Sequence, residues 1–137
     1  MRNDAELWQA RVDLATICRW AYRKGFQSGV GNHFSLMVPG TDDQFLVTPN
    51  GLYWSEVTAS NLVKVSMDAG LDETAGVNRP GFILHSGILR ARPDVNCSIH
   101  IHTEVGVAIS GRKEGLDRKS TRLNSSHIPL SRMPSSA

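Results

Sequence analysis

The chain's pattern predicts an α/β protein, a sheet covered by helices. Three observations carry this. Residues 5–25 and 81–91 place apolar residues at helical spacing. Between and after them, short segments alternate polar and apolar residues, as half-buried strands do. The two kinds of segment interleave in the order helix, strands, helix, strand, helix, which suits helices packed on a sheet. A length of 137 residues fits one domain.

In residues 5–25 the apolar positions are Leu7, Ala10, Leu14, Ile17, Cys18 and Ala21. They fall on one face of a helix. Asp4 is placed to cap that helix and Gly25 to end it, with Arg23 and Lys24 in the last turn, where the dipole favours cations. A glycine-rich loop follows, Ser28-Gly29-Val30-Gly31-Asn32. His33 to Val38 alternates and predicts a strand, broken by Pro39 and Gly40. Gln44 to Thr48 is its hairpin partner, and Pro49-Asn50-Gly51 is a second tight turn. Trp54 to Asn61 is expected to form a short helical turn, and Leu62 to Met67 a third strand. Residues 68–78 are polar and predict an exposed loop. Its Asp68, Asp72 and Glu73 lack the spacing of a calcium loop. Pro80 opens a helix from Gly81 to Ala91, stopped by Arg92-Pro93. Asp94 to Thr103 reads as a strand, and Glu104 to Ser110 begins a further helix.

Composition narrows the class. A hydrophobic content of 40% is ordinary for a soluble globular chain. No apolar run approaches the roughly 18 residues of a membrane span, and the first residues lack the apolar stretch of a secretory signal. Cys18 and Cys97 both fall on apolar faces and make no disulfide framework, so a reduced, cytoplasmic protein is expected. The formal charge of +2 comes from the tail, where Arg118, Lys119, Arg122 and Arg132 face one acid, Asp117. Residues 1–116 are near neutral, so neither a nucleic acid nor a membrane is an expected partner. Residues 117–137 have no periodicity and are expected to be disordered. Asp117 to His127 reads, residue by residue, as a translated sequencing-library adapter. Residues 117–137 are therefore expected to be non-native, with the natural protein continuing past Leu116 in some other way.

The chemistry gathers at Asp94 to Thr103. Alternation puts Cys97, Ile99 and Ile101 on one face, suited to a core, and Ser98, His100 and His102 on the other. Two imidazoles side by side suit a borderline cation such as zinc. A catalytic zinc site usually has three protein ligands and an open position, so the pair is an incomplete site. The bland alternative is two polar residues on a solvent-facing strand. His85 has Phe82 and Leu89 beside it on its helix face, and reads more readily as a packed, hydrogen-bonded core residue than as a ligand. His33, at a loop–strand boundary, could be either. Gly29 to Asn32 could cradle an anion with backbone N–H groups or be a plain turn, and Asn50-Gly51 has the same two readings.

Five motifs occur in order: Gly31-Asn32-His33-Phe34-Ser35; Val47-Thr48-Pro49-Asn50-Gly51-Leu52; Gly81-Phe82-Ile83-Leu84-His85-Ser86; Ala91-Arg92-Pro93-Asp94-Val95; and Ile99-His100-Ile101-His102-Thr103. Together they resemble the class II aldolase/adducin N-terminal domain, from Leu7 to Leu116, with Gly81 to His85 most like its adducin-like bacterial branch. The resemblance implies a three-layer α/β/α sandwich around a mostly antiparallel sheet, here incomplete at the C-terminus, with residues 1–116 its N-terminal part. Aldolases of the family hold zinc with the two histidines of the H-x-H strand and a third far downstream. His100 and His102 match the first two. The third would lie past Leu116, and His127, in the tail, is no substitute.

The family's acid/base glutamate falls on Gly81, so the resemblance assigns no catalytic residue there. Its phosphate site maps to Gly31, Asn32, Asn50 and Gly51 as substrate-binding residues, while its two serine positions are Arg79 and Pro80. The implied function is a metal-dependent, aldolase-like lyase acting on a small hydroxy or keto acid or aldehyde. Zinc or another divalent metal is its cofactor, and the full-length parent is a homo-oligomer. The truncated fragment is expected to be inactive, with low metal occupancy. The alternative is a non-catalytic, adducin-like interaction or oligomerisation domain.

Overall fold

The structure, a computed structural model, describes residues 2–72 and 75–113, so the expected tail at 117–137 lies outside the described residues. The first unit of the chain runs to Thr103. It contains α1 (Arg2–Arg23), β1 (His33–Met37), β2 (Gln44–Val47), β3 (Val63–Ser66), α2 (Arg79–Ala91) and β4 (Cys97–His100). A second unit begins at Glu104 with helix α3 (Glu104–Ser110). No described helix is long and apolar enough to cross a membrane.

The strands form one sheet in the order β3-β2-β1-β4, antiparallel throughout. Alternation along each strand sends apolar side chains to both faces, and each face acquires its own core. Phe34, Val38 and Leu46 pack with Leu14, Cys18 and Ala21 of α1, and with Trp54 and Val57. The indole of Trp54, fully buried, lies 4.4 Å from the ring of Phe34. On the other face Phe45, Val47, Val65 and Met67 pack with Phe82 and Leu89 of α2. One helix on each face gives the three-layer α/β/α arrangement that the resemblance implies.

Local chemistry explains the element ends. Gly25, at φ 72°, closes α1. The amide of Phe26 donates to the carbonyl of Ala21 at 3.1 Å, and that of Gly25 to Tyr22 at 3.0 Å, a Schellman closure of the last turn. Asn78 caps α2, its Oδ1 accepting from the amide of Gly81 at 3.0 Å, with Pro80 in the first turn.

Three expectations are corrected. First, α1 begins at Arg2, so Asp4 lies inside its first turn instead of capping it; a carboxylate there still suits the positive end of the helix dipole. Second, Trp54 to Asn61 forms separate turns, not a helical one. Side chains take amides at these turns: Glu56 Oε2 accepts from Tyr53 N at 2.8 Å, Asn61 Oδ1 from Thr58 N at 2.9 Å, and the distant Gln27 Oε1 from Trp54 N at 2.8 Å. Arg11 and Arg19 of α1 then donate to its carbonyls at Ala59 and Val57, and Arg11 also to that of Leu62 just beyond. Third, the face of Cys97, Ile99 and Ile101 is not a core. Cys97 is exposed, Ile99 is 50% exposed and Ile101 39%. The reason is topological: β4 is an edge strand, and α1 packs over β1.

Candidate functional site

Sheet register assembles the site. Antiparallel pairing sets His33 opposite His100 and Ser35 opposite Ser98. Residues paired across a ladder share a face, so all four lie on the α2 side. There α2 contributes His85, fully buried. Its Nε2 lies 2.7 Å from Nδ1 of His33, and its Nδ1 lies 2.9 Å from Oγ of Ser35. Ser35, also fully buried, donates to the carbonyl of Ser98 at 3.4 Å.

His33 connects this buried group to the pair at the end of β4. Its ring stacks on that of His100, with centroids 4.7 Å apart and planes 18° from parallel. His102 lies just past the end of β4, and its Nε2 approaches Nε2 of His100 to 2.8 Å. So the two histidines singled out by the sequence do converge, although only His100 is within the strand.

Burial sets the charge of the cluster. It pushes the pKa of His33 down to about 4, aided by the neighbouring His100 and His102. It pushes His85 down to about 4 as well, aided by His33. His100 is lowered too, by burial and then by His102. Neutral imidazoles keep lone pairs available for a cation. Two nitrogens bound to one tetrahedral zinc stand roughly 3.3 Å apart, given bonds of about 2.0–2.1 Å. The 2.8 Å separation of His100 and His102 Nε2 is shorter than that value and is the spacing of a hydrogen bond between the two rings. Two imidazole nitrogens are donors of the kind that a zinc-like ion takes. Among the described residues, no group of three or more histidine, cysteine or acidic side chains is arranged to hold a metal.

Gly81 has a steric reason to be glycine. A Cβ there would meet Cδ2 of His33 at 2.8 Å and Nε2 at 3.0 Å. Contacts that short force something to move, so a side chain at 81 would displace the imidazole of His33 or the first turn of α2.

The loop candidates are more scattered. Asn32 is buried; its Oδ1 accepts from Ser28 N at 2.8 Å, while its Nδ2 is buried without a hydrogen-bond partner among the described residues. Gly31 leads into it and has open space around it. Asn50 donates its amide to the carbonyl of Gly76 at 2.8 Å, and Gly51 turns the chain at φ 80°. Among the described residues no hydrogen bond joins Asn50 or Gly51 to the histidines. A cleft of about 570 Å³ lies elsewhere, between α1 and the β1–β2 hairpin, lined by Glu6, Gln9, Asp13, Val38, Pro39 and Asn96. Sequence reasoning missed Ser35 altogether and left His33 open. The available signal was alternation, since His33 and Ser35 share one face of β1.

Comparison with known proteins agrees with this architecture. The family model for the Class II Aldolase and Adducin N-terminal domain matches residues 12–134. Alpha-adducin of Rattus norvegicus is 44% identical over 110 residues, covering 77% of this chain and 15% of that protein. The crystal structure of an aldolase II superfamily protein from Pseudomonas syringae superposes with a TM-score of 0.73 at 43% identity, over 81% of this chain and 45% of that one. L-fuculose 1-phosphate aldolase from Glaciozyma antarctica gives a TM-score of 0.71 at 32% identity, over 79% and 45%. The chain spans under half the length of its bacterial curated relatives, 45% and 42%. With one family model matching most of its length, the chain belongs to the class II aldolase and adducin N-terminal domain family.

Proposed function

We propose that the parent protein is a metal-dependent, aldolase-like lyase acting on a small hydroxy or keto acid or aldehyde. The observation that carries this is the convergence of His100 and His102 Nε2 to 2.8 Å in a chain of this family. Class II aldolases depend on divalent metals, and similarity to an L-fuculose 1-phosphate aldolase favours carbon–carbon bond chemistry. His100 and His102 hold zinc or another divalent cation, with a third ligand supplied from beyond residue 116. When bound, the ion supplies Lewis-acid polarisation of substrate oxygens. Gly31, Asn32, Asn50 and Gly51 are the substrate-binding residues, their backbone N–H groups offered to an anionic group. With only two of the three ligands, the 137-residue chain holds the ion weakly and is inactive. The parent is a cytoplasmic homo-oligomer. Residues 1–116 are its family domain and 117–137 a translated adapter, which the codons of the nucleotide record test: many synonymous differences from the adapter would remove that assignment.

A second function has its own support. Gly81 offers no carboxylate, and alpha-adducin is among the relatives. A non-catalytic interaction or oligomerisation domain fits those two facts. Metal analysis of the full-length parent separates the two. The enzyme reading expects one zinc per subunit, with affinity lowered at least about tenfold by His100→Ala or His102→Ala. A metal-free parent that assembles normally, with both variants indistinguishable from it, establishes the interaction domain instead.

A further inference from the structure

An asparagine loses its side-chain amide without a catalyst when the backbone nitrogen of the next residue attacks its Cγ. The reaction needs an asparagine side chain that nothing holds and an attacking N–H that is not tied up as a donor. It also needs no Cβ crowding that nitrogen, and water at both groups. Asn50-Gly51 is the one Asn-Gly pair in the sequence. Both residues are exposed, in the turn that follows β2. Among the described residues neither the Asn50 side chain nor the Gly51 amide makes a hydrogen bond. The Asn50 amide donates to the carbonyl of Gly76 at 2.8 Å, which anchors the backbone just before the reacting atoms and leaves them loose. Gly51 sits at φ 80° with open space where a Cβ would stand. A positive φ favours glycine, so the turn itself places an unshielded nitrogen after Asn50.

Each other described asparagine lacks at least one of these conditions. Asn32 is buried, and its Oδ1 accepts from the amide of Ser28. Asn61 has both ends of its side chain engaged, Oδ1 with the amide of Thr58 and Nδ2 with the carbonyl of Glu56. Asn78 is held by its capping bond to Gly81. Asn3 lies within α1, followed by Asp4. Asn96 is exposed, but the nitrogen after it belongs to Cys97, which carries a side chain and opens β4.

We propose that Asn50 is a modification site, where the side chain cyclises onto the Gly51 nitrogen and is hydrolysed to aspartate or isoaspartate. The Gly51 amide gives its proton to hydroxide, and its nitrogen attacks Cγ of Asn50. The N–Cγ bond forms, the Cγ–Nδ2 bond breaks, and ammonia leaves with a proton taken from water. Water then opens the cyclic imide. Breaking the new N–Cγ bond gives aspartate. Breaking the bond from that nitrogen to the Asn50 backbone carbonyl carbon gives isoaspartate, with the chain running on through the side chain. One water is consumed and one ammonia released; nothing is oxidised or reduced. Either product puts a carboxylate at the turn, and isoaspartate lengthens the backbone between β2 and Trp54. The aldolase-like reading offers this turn to an anionic group, which that carboxylate would repel; the modification itself does not rest on that reading.

The test ages the full 137-residue chain at pH 7.5, with its fold checked by circular dichroism, and maps it by proteolysis and tandem mass spectrometry. Asn50 is expected to lose its amide ahead of every other asparagine, at a rate close to that of a free peptide of residues 44–56. A protein isoaspartyl methyltransferase, used as the probe, should label residue 50 in the aged chain and not in the fresh one. Asn50→Gln, whose longer side chain would have to close a larger ring, is expected to lose both that label and the acidic species that appears on ion exchange. An Asn50 amide that outlasts that of Asn96 would overturn the proposal. So would a folded chain that reacts an order of magnitude more slowly than the peptide, since the turn would then be holding the reacting atoms apart. A label and an acidic species that persist in Asn50→Gln would overturn the assignment to this residue. Should that variant fail to fold, the map of the wild-type chain still decides. A parent that binds no anion would count against the aldolase-like reading and leave this map unchanged.

Discussion

At the scale of single residues, His85 shows how burial turns a titratable side chain into a stability switch. It is fully buried, faces His33 and Ser35, and is linked through His33 to His100. Its pKa and that of His33 fall from 6.5 to about 4 on folding. A folded-state pKa below the unfolded value means that the unfolded chain binds protons first as pH falls. The stability present above pH 6.5 is therefore lost progressively between about 6.5 and 4, at up to roughly 1.4 kcal/mol per pH unit for each histidine held neutral. Urea denaturation at pH 7.5, 6.0 and 5.0 checks this, in a range that lies above ordinary carboxylate titration. His85→Gln is expected to flatten the slope by about half. A wild-type stability that is level from pH 7.5 to 5.0 contradicts the assignment.

At the scale of elements, the start of α2 matters more to the site than its length suggests. Asn78 accepts from the amide of Gly81, and Gly81 is the residue that stands against His33. Fixing the first turn thus fixes how closely the helix backbone approaches the imidazole. Asn78→Ala is expected to cost about 1 kcal/mol in chemical denaturation, the usual loss of an asparagine cap. It should also change the His33 ring resonances, whereas a substitution at the exposed Ile83 on the next turn should leave them in place. Identical His33 spectra in wild type and Asn78→Ala would show that the cap does not set this approach. At the other end of α2, Arg90 ties the helix to the end of β3 through the carbonyl of Met67 at 2.6 Å and the carboxylate of Asp68 at 2.9 Å. The pair with Asp68 is exposed and adds little on its own.

At the scale of the whole molecule, the first unit presents β4 as an edge strand with Ile99 half exposed. Among the described residues no strand pairs with its outer side, and an apolar edge of that kind is a template for association. Light scattering should show that the 137-residue chain self-associates and that Ile99→Lys reduces this; unchanged scattering would point to another surface. The sequence by itself determined a good deal: helices with their stops at Gly25 and Arg92, four strands, and the pairing of His100 with His102. These follow from local periodicity, from turn chemistry and from the constraint that a residue type puts on its neighbours. Alternation also put His33 and Ser35 on one face, but could not say what that face would meet. Only the tertiary structure decided that Ile99 lies outside a core, because a strand's place at an edge depends on pairing distant in sequence. Only it decided that His85 closes on His33 and Ser35, and that the His33 ring lies where a Cβ at position 81 would stand. Those contacts join residues about fifty positions apart, and sheet register, which no local pattern encodes, brings them together.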